Sequence, residues 1–168
     1  MGQNCSQACC KEDKVLANPG LMQAVANGQA KQNDQGDGNS TSYFERELEE
    51  LAQLPNTGNV SVRKPMHKFK TGAHYTGQWK GNERHGFGVQ VWPDGAIYEG
   101  EWRENCAEGK GRFTHSDGDT YTGEWRANVA HGKGTYHHKD LTTYAGEWSN
   151  DLQEGYGVET WAEGTRFE

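Results

Sequence analysis

The chain has 168 residues, a net charge of −7, only 32% hydrophobic residues and 23 glycines, a composition that excludes one thick apolar core. No run approaches the roughly 18 consecutive apolar residues of a membrane-spanning helix. From Tyr75 onward nine Lys and Arg face sixteen Asp and Glu, whereas residues 1–74 hold eight of each; an acidic surface repels phosphate backbones, so nucleic acid is not an expected partner.

In chain order, Met1-Gly2-Gln3-Asn4-Cys5-Ser6 fits the pattern M-G-x-x-x-[ST], with Gly2 as the acceptor for a myristoyl chain. One such chain binds membranes with an association constant of only about 10⁴ M⁻¹, so stable anchoring needs a second signal. Cys5, Cys9 and Cys10 supply it as palmitoylation sites. The alternative is an unstructured start with chance cysteines. Zinc wants four well-spaced ligands, and Cys-x3-Cys-Cys without a nearby histidine offers three; no metal or cofactor is expected. Nor does the start carry the apolar centre of a secretory signal. The expected location is the cytoplasmic face of a plasma, ciliary or internal cortical membrane, with the protein held there by its acyl chains.

Residues 1–40 are expected to form a flexible, mostly disordered acylated tether, in which 19–26 has room for a helical turn or two and 27–40 holds no large apolar side chain. Residues 41–59 predict a short amphipathic helix and linker. Ser42 and Glu45 make a capping box, Phe44, Leu48 and Leu51 share one stripe, Glu45, Glu47, Glu49 and Glu50 lie opposite or beside it, and Pro55 ends it. Docking on the adjacent repeats and binding to a partner are both open readings of that stripe.

Residues 60–74 carry the basic cluster Arg63, Lys64, Lys68 and Lys70. Phe69 lies 23 before Trp92 and Gly72 lies 23 before Gly95, so this stretch reads as a decayed half-repeat with a strand near 66–70. The lysines either guard an open sheet edge or contact an acidic headgroup or partner.

The remainder, 75–168, is organised by Tyr-x-Gly-x-Trp, at Tyr75-Gly77-Trp79, Tyr98-Gly100-Trp102, Tyr121-Gly123-Trp125 and Tyr144-Gly146-Trp148, always 23 residues apart. Copies span 75–97, 98–120, 121–143 and 144–166, and a constant period means stacked units. Alternation with period two puts Tyr, Gly and Trp on one face of a strand. A second strand carries Gly86/Gly88, Gly109/Gly111, Gly132/Gly134 and Gly155/Gly157, and turn residues such as Pro93-Asp94-Gly95 return the chain. With Trp79 pairing near Gly86 and Gly77 facing Gly88, bare backbone would seat the Tyr and Trp rings. The expectation is an all-β, elongated and twisted antiparallel meander of one hairpin per repeat.

Other columns follow from the period. Asn82, Asn105, Asn128 and Asp151 mark the hairpin turns and read as backbone geometry. Gln78, Glu101, Glu124 and Glu147 stand roughly 10 Å apart, two strands per repeat, which is too far for a shared proton or metal. They read as a solvated acidic face, with docking of a basic partner as the alternative. His85, Glu108, His131 and Glu154 alternate beside the turns, where His131 could pair with Glu108.

The phrase Tyr-x-Gly-x-Trp-x-x-(Gly/Asn)-x-x-x-Gly-x-Gly, closed by Trp-Pro-Asp-Gly in the first copy, resembles the MORN (membrane occupation and recognition nexus) repeat. The resemblance covers 75–166 and implies a module shared by junctophilins, radial spoke head proteins, plant phosphatidylinositol phosphate kinases and protist cytoskeletal scaffolds, with no common activity. Leu141 stands where the other copies have Gly95, Gly118 and Gly164, so the turn 137–141 is expected to be irregular. Phe167-Glu168 begin a fifth copy, and the sequence is expected to be a fragment of a longer protein.

No nucleophile–base arrangement or phosphate loop accompanies these columns, and Gly-x-Gly without a following helix is no nucleotide fingerprint. The chain is expected not to be an enzyme. It reads as a membrane-tethered scaffold presenting the repeats to an unidentified protein. Alternatives are the regulatory region of a longer enzyme such as a phosphatidylinositol phosphate kinase, or a phospholipid-binding module.

Overall fold

The computed structural model describes residues 42–168; Gly2, Cys5, Cys9, Cys10 and the tether 1–40 lie outside the described residues. The fold is one ten-stranded antiparallel sheet with its strands in sequence order. The strands are β1 (Ser61–Lys68), β2 (His74–Lys80), β3 (Glu83–Val91), β4 (Ile97–Arg103), β5 (Cys106–Thr114), β6 (Thr120–Arg126), β7 (Val129–His137), β8 (Thr143–Ser149), β9 (Leu152–Thr160) and β10 (Arg166–Phe167). A 3₁₀ turn, Tyr43–Glu45, and a helix α1, Leu48–Gln53, precede them. Among the described residues no helix is long and apolar enough to cross a membrane.

The expected all-β meander is therefore what forms, and its glycines explain how a thin sheet makes a core. Gly77 pairs with Gly88, Gly100 with Gly111, Gly123 with Gly134 and Gly146 with Gly157. Each tyrosine ring lies across the second glycine of its pair. A Cβ at Gly111 would stand 2.7 Å from Cε2 and Cζ of Tyr98, so only hydrogen fits there. The Tyr98 hydroxyl then donates to the Glu101 carbonyl at 2.9 Å, and Tyr75, Tyr121 and Tyr144 repeat the bond. Each tryptophan reaches back one unit: Trp102, Trp125 and Trp148 donate through Nε1 to the carbonyls of Gly88, Gly111 and Gly134 at 3.0–3.2 Å. Edge-on stacking joins the units, since Tyr98 packs on Trp102 at 4.9 Å and on Trp125 at 5.3 Å.

The register departs from expectation in one respect. Trp79 pairs with Arg84, while Gly86 pairs with Trp102 of the following strand. A bulge after Gly77 shifts the register, and shifts recur after Gly100, Gly123 and Gly146. The backbone at Gly86 takes φ +84°, which only glycine adopts without strain. Gln78 folds over that bulge and its Oε1 accepts from the Phe87 amide at 2.7 Å; Glu101 does the same for Lys110 at 3.1 Å. In these two copies, then, the polar column caps bulge amides as well as facing solvent.

The half-repeat is real and longer than expected. β1 begins at Ser61, and the turn after it reproduces the later ones: Phe69 N donates to Ala73 O and Gly72 N to Phe69 O, as Trp92 does to Ala96 and Gly95 to Trp92. The turn at Leu141 keeps the same two bonds, His138 N to Thr142 O and Leu141 N to His138 O. The irregular loop expected there is absent. What the substitution changes is strain, because Leu141 sits at φ +73° with its side chain in solvent.

Candidate functional site: the aromatic face and its occupant

The segment 43–54 lies against the aromatic face of the first repeats. Phe44 is fully buried among Trp92, Tyr98, Trp102, Phe113 and Trp125, with centroids 5.2–5.8 Å away. Tyr43 packs on Trp92 and Phe113 and donates to Asp94 Oδ2 at 2.5 Å. Arg46 lies 3.9 Å over the Tyr43 ring and 3.7 Å from Asp94. Both aromatics must turn inward, so the chain kinks through the 3₁₀ turn before α1 starts. The capping box consequently does not form: Ser42 makes no side-chain cap bond, and the Glu47 position caps α1.

Polar contacts fix the segment's direction. Arg84 is fully buried, stacks 4.3 Å over Trp102, and donates to the carbonyls of Phe44 (3.0 Å) and Asn105 (3.1 Å) and to Gln90 Oε1 (3.1 Å). Burial pulls its guanidinium pKa down to about 10, against the opposing influence of Glu47 and Tyr75, so it stays charged at neutral pH. Glu47, read from the sequence as part of an acidic outer face, is instead buried and accepts from Trp92 Nε1 and Thr71 Oγ1. Burial pushes its carboxyl up, while Arg84 and those hydrogen bonds pull it back. Asn82 Nδ2 donates to Leu51 O and Glu50 accepts from Lys70 N, fastening the far end.

The turn column does more than supply left-handed backbone. Asn105, Asn128 and Asp151 have φ of 66–71°, as their type suggested. Each also reaches the preceding hairpin twice. Asn105 N and Oδ1 bond Arg84 O and N, Asn128 bonds Ala107 likewise, and Asp151 bonds Ala130, with every distance between 2.6 and 3.1 Å. Asn82 departs from the column twice: Gly81, at φ +64°, takes the left-handed backbone of that turn in its place, and among the described residues Asn82 makes no such clamp and holds α1 instead.

The basic cluster is divided. Lys64 pairs with Gly77 on the aromatic face, donates to Gly81 O at 2.7 Å and lies 5.2 Å over the Trp79 ring. Arg63 and Lys68 pair with Gln78 and His74 on the opposite face, and the exposed Lys70 follows the strand. Beside the turns, Glu108 accepts from Ala127 N and His131 lies against Arg126, in place of the pairing considered from the sequence. Asp119 gathers Tyr136 OH, His138 Nδ1 and Lys139 N at 2.9–3.0 Å. Among the described residues no group of three or more His, Cys, Asp and Glu is placed to hold a metal. On the face away from the rings, Phe87 and Tyr156 are exposed in one column with Lys110 and Lys133 between them. A groove of about 490 Å³ runs there past Thr122, Lys133, Thr135, Ala145, Glu147 and Tyr156.

The MORN repeat model matches residues 75–97, 98–120, 121–143 and 144–166. The chain belongs to the MORN-repeat family. Comparison with curated proteins gives no match. Within the MORN array, the residues that sequence reasoning missed are Arg84 and Gln90. They were visible as departures, since the same columns read Arg84, Ala107, Ala130, Gln153 and Gln90, Phe113, Tyr136, Glu159. A polar residue where the neighbouring copies have Ala or an aromatic marks the place where something other than a repeat must be met.

Proposed function

We propose that this MORN-repeat protein is a membrane-tethered scaffold. Acyl chains on Gly2 and on Cys5, Cys9 or Cys10 hold it to a cytoplasmic membrane face, and the repeat sheet presents a surface to a protein partner. The observation that carries the reading is the docking of 43–54: it fastens the segment following the acylation motif to the first repeats through Phe44, Arg84 and Asn82. The exposed column Phe87, Lys110, Lys133 and Tyr156 supports a partner surface on the outward face. The division of the basic cluster and the engagement of Lys64 weigh against direct headgroup binding by the repeats.

The test is membrane partition of the full chain in cells supplying the acyl transferases. Gly2→Ala is expected to move the protein from the membrane pellet to the supernatant. Replacing all three of Cys5, Cys9 and Cys10 by serine is expected to leave only weak, washable binding. Retention of Gly2→Ala in the pellet would sink the proposal.

A further inference from the structure

Asp151 is the one acid in a turn column otherwise made of asparagine. It is 3% exposed, its Oδ1 accepts from Ala130 N at 2.6 Å, and its own amide donates to Ala130 O at 3.1 Å. This pair of bonds joins the fourth repeat to the third. An asparagine makes the same bonds at no electrostatic cost, as Asn128 does to Ala107. A carboxylate makes them only by carrying a charge into a dry site, which burial opposes. On the packed strands the ionisable residues are Tyr121, Glu124 and Arg126 on β6, His131, Lys133, Tyr136 and His137 on β7, Tyr144 and Glu147 on β8, and Glu154, Tyr156 and Glu159 on β9. Among the described residues none forms an ion pair with Asp151, and its charge bears unfavourably on Tyr121.

We propose that Asp151 makes the docking of the fourth repeat pH-sensitive: as a neutral acid it clamps as its asparagine counterparts do, and as a carboxylate it loosens the joint. Burial raises its pKa to about 7, only partly offset by the Ala130 amide. Because the closed-state value lies above the ordinary one near 4, the added stability is full below about pH 4 and is lost as pH rises towards 7. Acidification therefore tightens β8 and β9 onto β7.

Amide hydrogen exchange on the full chain, corrected for the intrinsic pH dependence of exchange, reads this directly. Protection of the β8 and β9 amides is expected to fall about tenfold or more between pH 5 and pH 8, and to stay level in Asp151→Asn. A second readout needs no variant: the Asp151 carboxyl carbon resonance is expected to titrate near neutrality. Level protection in the unaltered protein, the same decline in Asp151→Asn, or titration of the carboxyl near pH 4 would each overturn the proposal.

Discussion

The first repeat and the third share one 23-residue frame and face different tasks. The third is bounded by its own kind on both sides, with Ala130 under the clamp of Asp151 and Trp148 hydrogen-bonded to the Gly134 carbonyl. The first meets a helix, and it does so by changing side chains and one turn: Arg84 replaces an alanine, Gln90 an aromatic, and Asn82, without the left-handed backbone of Asn105, Asn128 and Asp151, turns from a neighbouring hairpin to Leu51. Repetition fixes the sheet, and the exceptions to repetition record what the sheet touches.

That contrast can be broken most strongly at Phe44. Phe44→Ala empties a site lined by five rings and is expected to cost about 3–5 kcal/mol in denaturant unfolding. Loss of α1 with the fourth repeat intact, seen as faster exchange within 43–125 and unchanged protection of β8 and β9, would confirm that the seat belongs to the first units. A smaller loss, roughly 1–3 kcal/mol, is expected for Gly111→Ala, because the new methyl must displace the Tyr98 ring. An unperturbed variant would show that the ring has room. Next, Asn128→Ala removes one clamp bond and strains a backbone at φ +71°, together worth about 2 kcal/mol. Asn128→Gly separates the two causes, since it relieves the strain and still lacks the bond. The smallest effect is a gain. Leu141→Gly releases the strain at φ +73°, partly offset by the greater freedom of glycine when unfolded, for a net rise of up to about 1 kcal/mol in stability.

Most of the sheet was legible because its period is fixed and its glycines are forced. A residue with no side chain opposite another, four times over, allows few arrangements, and the pairings of Gly77 with Gly88 and of its three successors followed. The bulge after each of these glycines was not legible, because it depends on a backbone rotation at Gly86 that an alternating pattern conceals. The short helix was legible, but it starts at Leu48 after a 3₁₀ turn and not at a Ser42 cap, and its acidic face was misjudged. Glu47 looks exposed on a helical projection and is buried because a 3₁₀ turn precedes α1 and rotates it towards Arg84 and Trp92. Geometry around Asn128 could be read from residue type, whereas its reach to Ala107 could not, since it joins residues 21 apart across a strand order known only after folding.

The tryptophan bonds give the array a direction. Each of Trp102, Trp125 and Trp148 takes its acceptor from the unit before it, so every bond in this column points upstream. Among the described residues, Trp79 has no earlier glycine carbonyl in use and its buried Nε1 finds no acceptor. Such a chain can be lengthened by duplication downstream, 23 residues at a time, without rebuilding anything already present. Its upstream end has no such liberty, and there the specialised residues are gathered.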